Sequence, residues 1–570
     1  MTRARTEQKL VATKTALHLY ELVADELVRA GVSDIFGLMG EDTAPVVVAA
    51  DRRDVRYYAA RHENQAVAMA DGYWRVSRRV GVATVTGGPG FTNALTAINT
   101  ARRAHSGVVV LTGGGRPQED DHDTGAIRAG TSRSWLKFFP QAAVCRAMGL
   151  EVVTPATPEA AIHDLRGALA RAARGEVVVV VITRDLLLAE AEPVDVQQTD
   201  PSPFLRTRPD PEDISVIVDL FQETWAVSRP VILAGRGAVH AGAGPVLRRL
   251  AELTGAVLAT TLPARGLFHG DPYNIGVCGT FATPIAADVV TSANCVLAFG
   301  AGMNQYTTYE NTLFPTALVV QVDVNEEAIG RFLDVEASIV ADARLTAEAL
   351  VAELEQRGHV ATGLRIPELR GELETFDPAD GFQDASTDDR IDPRTLMVEL
   401  DRILPENRII ASDAGRHAKF AIRYLRVLRP ENFAWIVDAG SIGLGLGAAV
   451  GAAVARPGEL VVVPIGDAGL MMALGDLETA VRYQLPLVLI VANDEALGSE
   501  VNVLAAMGMP TAAAEISAPS FAEVARSLGA DGMTVRTRAD IAAVGAALAR
   551  PRDVPLVVDC LIDRNAAGAA

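Results

Sequence analysis

Short apolar runs alternate with amphipathic stretches along most of the chain. Near the C-terminal end, Leu460-Val461-Val462-Val463-Pro464-Ile465 is rich in β-branched residues and stops at Gly466, the pattern of a buried strand. The period then changes. Leu470, Leu474, Leu477 and Val481 share one helical stripe, and Leu487-Val488-Leu489-Ile490-Val491 reads as the next strand. A strand–helix–strand unit favours parallel pairing. Upstream, "VGVATVT" and "SGVVVLTGG" are predicted strands and "ENQAVAMADGYWRVS" a predicted helix. Further strands are predicted at "RPVILAGRG", "AVLATT", "CVLAFGAG", "LVVQVDV" and "NRIIASDAG". The small-residue run "LGLGAAVGAAVA" reads as a tightly packed helix. Polar, Pro- and Asp-containing stretches at about 191–213 and 368–393 read as interdomain linkers. The predicted fold class is therefore α/β, with three α/β domains and mostly parallel sheets, at residues 1–190, 210–365 and 390–565.

Composition narrows the function. The chain has 570 residues, more than one ordinary core accommodates, and 49% of them are hydrophobic. A formal net charge of -19 argues against a general nucleic-acid or anionic-membrane binder. Almost every basic residue is Arg; the lysines are Lys9, Lys14, Lys137 and Lys419. The four cysteines are widely spread with no CxxC pair, which supports neither a zinc site nor a disulfide framework and fits a reducing cytoplasm. The N-terminal stretch has no continuous apolar signal core, and no apolar span of membrane length occurs. The expected location is cytoplasmic.

Candidate chemistry sits at the strand ends. Asp467 and Asp494 each follow an apolar strand, and in parallel α/β sheets ligands gather outside the carboxyl ends of the strands. One such Asp alone reads equally well as a helix N-cap. Two at successive strand ends suggest a shared ligand, such as a hard divalent cation beside phosphate. There is no G-x-x-x-x-G-K-[ST] loop to favour a nucleotide-binding protein.

The succession "RHENQAVAMADGY", "GPGFTN" and "GDAGL…NDEALG" resembles the thiamine diphosphate-dependent enzymes of the acetolactate synthase, benzoylformate decarboxylase and pyruvate decarboxylase family. The resemblance covers nearly the whole chain and includes "RPVILAGRGAV" and "VVQVDVNEEAIGR" in the middle segment. It implies a pyrimidine-binding, a central and a diphosphate-binding domain. It also implies that Asp467, Asp494 and the main-chain carbonyl of Ala496 hold Mg²⁺. Two departures stand out: Ala468 replaces a Gly of the signature, and Asp494 replaces an Asn, adding negative charge. Gly466, Ala468 and Gly469 are implied as cofactor contacts, with main-chain N–H groups suited to phosphate. Gly415, Arg416 and His417 of "SDAGRH" match a diphosphate-side segment, and Ile442 matches the bulky residue that holds the cofactor bent.

Glu63 matches the activating acid of the family, hydrogen-bonded to the cofactor's pyrimidine ring. Taken without those motifs it reads as an acid opening a helix. Glu41 and Glu500 fall where the pyruvate decarboxylase type carries acids, and are candidate catalytic residues. A solvated helix residue is the other reading of Glu500. His122, in the polar loop "QEDDHDTG", is a candidate too, against the reading of a surface histidine. Thr86, Gly88 and Asn93 belong to a segment expected to shape the site by close backbone approach.

The resemblance implies an enzyme acting on a 2-oxo acid or related small carbonyl compound. Carboligation of the acetolactate synthase kind leads, ahead of decarboxylation, C–C hydrolysis and a non-catalytic regulatory subunit. It further implies a homodimer or homotetramer with sites at the subunit interface. FAD in the central domain stays open, with "GRG" and "GAG" as places that could accept a nucleotide.

Overall fold

The computed structural model describes residues 17–115, 137, 139–192, 206–224, 229–361 and 363–566. The chain divides into two compact units, Met1–Trp74 with Arg78–Ser202, and Arg75–Ser77 with Pro203–Ala570.

The first unit is built on strands β1 (Asp34–Leu38), β2 (Arg56–Ala59), β3 (Gly81–Val85), β4 (Val108–Gly114), β5 (Glu151–Val153) and β6 (Val177–Thr183). All pairs are parallel, in the order β2-β1-β3-β4-β6-β5. Every residue of β4 is buried, because helices cover both faces of the sheet. That is why this strand reads as an unbroken apolar run rather than an alternation. Helix α1 (Glu63–Ser77) starts after His62, whose ring accepts the Asn64 N–H, and stops at Arg78, which turns left-handed at φ 59°. Helix α2 (Pro89–Arg103) opens with Pro at its first position.

The second unit carries two more parallel sheets. The central one comprises β7 (Pro230–Ala234), β8 (Val257–Thr260), β9 (Asn274–Val277), β10 (Cys295–Phe299), β11 (Leu318–Asp323) and β12 (Ala337–Val340). Its order is β9-β8-β7-β10-β11-β12. Neighbouring residues of one strand feed different cores: Ile232 packs into one cluster and Val231 and Leu233 into the other.

The third sheet comprises β13 (Arg408–Ser412), β14 (Phe433–Trp435), β15 (Leu460–Gly466), β16 (Leu487–Asn493), β17 (Asp531–Val535) and β18 (Leu556–Leu561). Its order, β14-β13-β15-β16-β18-β17, repeats that of the first unit strand for strand. Around it lie α3 (Arg416–Tyr424) and α4 (Gly445–Ala455), every residue of α4 being buried. The expectation of three α/β domains with parallel sheets therefore holds.

Two local expectations change. The stripe Leu470 to Val481 is not one helix but two, α5 (Asp467–Ala473) and α6 (Gly475–Arg482). The bonding tightens at the junction, where Leu477 N–H donates to Leu474 O at 3.1 Å, and Gly475 weakens helix propensity there. The polar stretch after residue 367 is not irregular throughout. It contains a helix, Pro367–Thr375, opened by Pro and by Glu368 in the first turn. Leu369 is its one buried residue, so the stretch looks like a linker by composition. Among the described residues no helix is long and apolar enough to cross a membrane.

Candidate functional site

In the third sheet the strand order reverses between β13 and β15, which opens a crevice at their carboxyl ends. Three strand ends converge there. β13 leads through Asp413 and Gly415 into α3; β15 ends at Gly466, where α5 begins with Asp467; β16 ends at Asn493, followed by Asp494.

Asp467 and Asp494 are each only 5% exposed. The Asp467 carboxylate takes the N–H of Ala468 at 2.8 Å and also faces the N–H groups of Ala496 and Glu495. Asp494 faces the same Ala496 N–H, so the two acids converge on one short loop. Burial, with the neighbouring Asp494 charge added, pushes Asp467 up to about 7. Burial also raises Asp494, opposed chiefly by Arg416. The loop's turn is made at Glu495, a non-glycine at φ 53°. Arg564 steadies it by donating to Asp494 O at 3.1 Å and Glu495 O at 3.4 Å. Helix α7 (Gly498–Ala506) follows this loop.

Asp413 is fully buried and knits the crevice floor. Its carboxylate accepts N–H groups from Gly443 at 2.8 Å, Leu444 at 3.0 Å and Gly445 at 3.1 Å, at the start of α4. It thereby fixes the loop that carries half-buried Ile442. Burial pushes Asp413 up to about 6 against those donors. A methyl group at Gly469 would sit 2.3 Å from Asp413 Oδ2, so α5 approaches this carboxylate only because position 469 is glycine. Gly415 holds φ 123° next to it, a conformation open to glycine.

His417 is buried, and burial pushes its imidazole down to about 4, so the ring is neutral near pH 7. Its Nε2, Arg416 Nε and Asn493 Oδ1 have no protein partner among the described residues. The Asn493 amide instead donates to Asp559 at 3.0 Å. Gly466 lies against His417: a methyl there would approach its Nδ1 to 3.2 Å. The fit to a metal-bound diphosphate follows from this donor set. Two crowded, buried carboxylates gain from a hard divalent cation, and unpartnered buried polar atoms line the same loops. Among the described residues no group of three or more His, Cys, Asp or Glu could hold a metal ion. Glu500, on the first turn of α7, is exposed, and α7 buries none of its residues.

In the first unit the order reverses between β1 and β3. Asp42, just past β1, is buried and fully engaged: it accepts Thr86 Oγ1 at 2.6 Å and Gly87 N–H at 2.8 Å. Lys137 Nζ donates to Thr86 Oγ1 at 3.1 Å and lies 3.6 Å from Asp42 Oδ2 and 3.9 Å from Glu41 Oε1. Glu41 itself is exposed. Glu63, at the start of α1, is 7% exposed, and Asn93 of α2 donates to its Oε2 at 3.0 Å. Gly90 packs on the same carboxylate, where a methyl would come within 3.1 Å of Oε1. Gly88, at φ 72°, runs so close to Lys137 O that a methyl would meet it at 1.9 Å. His122 lies outside the described residues.

The residues that sequence reasoning missed are Asp42, Asp413 and Lys137. The two acids carry the signal that found Asp467, an acid just past a strand at a sheet's reversal point. Lys137 had no such signal beyond being one of four lysines.

The central sheet's reversal point falls between β7 and β10, at "GRG" and "GAG". There the two loops lie on each other: Gly237 N–H donates to Gly300 O at 3.0 Å, and a methyl on Gly235 would meet that oxygen at 2.1 Å. Loop packing accounts for these glycines.

Fold and crevice together define a three-domain α/β enzyme whose third sheet carries buried acids at the point where its strand order reverses. The chain belongs to the thiamine pyrophosphate enzyme family: residues 17–133 match its N-terminal TPP binding domain, 219–350 its central domain and 413–560 its C-terminal TPP binding domain. It is similar to a probable acetolactate synthase large subunit of Methanocaldococcus jannaschii, 29% identical over 84% of this chain and 80% of that protein. A putative acetolactate synthase large subunit of Mycobacterium tuberculosis is 29% identical over 95% of this chain and 98% of its own. The acetolactate synthase isozyme 3 large subunit of Escherichia coli is 27% identical over 90% and 89%.

Proposed function

We propose that the protein is an acetolactate synthase-like carboligase, joining a fragment of a 2-oxo acid to a second small carbonyl compound to give a 2-hydroxyketone. The pair of buried carboxylates, Asp467 and Asp494, converging on the Ala496 N–H carries the cofactor half of this reading. The naming of its relatives as acetolactate synthases over most of their length supports the reaction half.

Asp467, Asp494 and the carbonyl of Ala496 would hold Mg²⁺, with diphosphate oxygens completing the shell. When bound, thiamine diphosphate supplies an acidic carbon, C2 of its thiazolium ring, and a place to store charge while C–C bonds break and form. Glu63, oriented by Asn93 and by the close approach of Gly90, would hydrogen-bond the pyrimidine ring and take part in its proton transfer. Ile442 props the cofactor from a loop fixed by Asp413. His417, neutral and packed on Gly466, shapes the diphosphate side with Gly415 and Gly469. A complete site takes Glu63 from one copy and Asp467 from another, as a homodimer or homotetramer.

Product analysis tests the reading. The enzyme with thiamine diphosphate and Mg²⁺ is incubated with a panel of 2-oxo acids, with and without aldehydes, and separately with diketones, and the products are identified by NMR. 2-Hydroxyketones are expected. Aldehydes alone would make it a decarboxylase, cleavage of a diketone a hydrolase, and cofactor binding without any product a regulatory subunit. Glu500, the acid on which decarboxylation leaned, is exposed in the single chain, so the competing reading gains no support from its placement.

A further inference from the structure

We propose that Arg416 is a positioning residue that serves as the counter-charge of Asp494, allowing two carboxylates to sit beside a diphosphate. This rests on the reading of Asp467 and Asp494 as the metal ligands. Two acids and a diphosphate bring more negative charge to the crevice than one Mg²⁺ neutralises. Arg416 returns one positive charge at the point of excess.

The geometry is specific. Arg416 is 5% exposed, and its guanidinium lies 5.3 Å from the Phe420 ring centroid. Nη1 donates to Asp494 Oδ2 at 3.2 Å. This contact uses one carboxylate oxygen, Oδ2. With Oδ2 engaged by Arg416, Asp494 would meet a metal through its other oxygen, much as a neutral amide would serve. Gly498 makes room for the pair: a methyl there would sit 2.5 Å from Asp494 Oδ2 and 3.0 Å from Arg416 Cδ. A guanidinium keeps its charge even when buried.

Arg416 also has a bracing role. It donates to Ala566 O at 2.6 Å and to Asp563 O at 3.4 and 3.5 Å, tying down the chain after β18. The test separates brace from counter-charge by removing both charges together. Mg²⁺-dependent binding of thiamine diphosphate to the full-length protein is measured by calorimetry, beside a melting curve, for wild type, R416Q, R416K, D494N and R416Q/D494N. R416Q is expected to weaken binding by about 10- to 100-fold. D494N alone is expected to weaken it as well, since a buried guanidinium then lacks its carboxylate. The double variant recovers to within about tenfold of wild type, while its melting temperature stays as low as that of R416Q. R416K keeps more affinity than R416Q. Additive losses in the double variant, or R416K as weak as R416Q, would overturn the proposal and leave Arg416 a brace. If R416Q does not fold, a folded R416K within about tenfold of wild type supports the proposal, and one weaker by about 100-fold or more overturns it. Wild-type protein that binds no thiamine diphosphate with Mg²⁺ would instead strike the cofactor reading itself.

Discussion

The first and third sheets run their six strands in the same order, and each places acids at the point where that order reverses. The surroundings of those acids differ. Asp42 has a hydroxyl and a main-chain N–H on its two oxygens, with a lysine nearby, and Glu63 has the Asn93 amide. Asp467 and Asp494 converge on one loop and share the Ala496 N–H, and burial raises both despite their other donors. One frame thus supports two electrostatic solutions. Where neutral donors complete a carboxylate, the protein alone is a finished structure. Where two buried carboxylates converge on one loop, both are raised, and that is where we propose a cation. The difference lies in the few residues after each strand, not in the sheet.

The comparison can be sharpened by removing one acid from each side. Glu63→Gln should leave thiamine diphosphate binding within a few-fold, because an amide can still pair with Asn93. It should slow exchange of the cofactor's C2 proton, followed by NMR in deuterated buffer, by about 10²- to 10⁴-fold. A wild-type exchange rate would remove Glu63 from its role. Asp467→Ala should behave in the opposite way, with affinity for thiamine diphosphate lost by about 100-fold or more in a calorimetric titration with Mg²⁺. Unchanged affinity there, or in chelator-treated wild type, would break the contrast between the two sheets.

A smaller effect concerns packing. Gly469→Ala puts a methyl 2.3 Å from Asp413 Oδ2, where both partners are buried, and should cost about 1–3 kcal/mol in denaturant unfolding. Gly90→Ala puts a methyl 2.7 Å from Thr86 Cγ2 and 3.1 Å from Glu63 Oε1, a milder clash than that at Gly469, and should cost less. Equal costs would mean that the two crevices are packed alike.

The smallest expected signal is the pH dependence of Asp413. Its folded pKa of about 6 lies above the ordinary value of 3.8, so between those values the folded state binds more proton than the unfolded state. Stability from this group is present at low pH and falls as pH rises through about 6. Asp413→Asn should lack that fall, so the stability difference, wild type minus variant, should decline as pH rises from 4 to 7 in cofactor-free protein. A difference that is flat across this window would place the carboxylate in a less desolvated setting.

Much of this was legible in the chain itself. Parallel strands covered on both faces appear as continuous apolar runs, so β4, β15 and β16 declared themselves, and so did the acids just beyond β15 and β16. What stayed hidden has a common cause. Arg416 pairs with Asp494 across 78 residues, and Asp413 collects donors some 30 residues away, at Gly443 to Gly445. Contacts of that kind have no period and no spacing in the sequence. The helix Pro367–Thr375 escaped for the opposite reason: it has local capping signals but almost no buried face to give it a stripe.

Helix α4 has the reverse character. All eleven of its residues, Gly445–Ala455, are buried, and they are glycine, alanine, valine and one leucine. A saturation-mutagenesis map of this protein should therefore show a band of intolerance there as dark as that over the acids. Near Asp413 it would be absolute even for alanine, since a methyl at Gly445 meets the Asp413 Cβ at 2.7 Å. Such a band records how tightly a helix fits rather than any part in turnover, and variant libraries aimed at new substrates should leave it untouched.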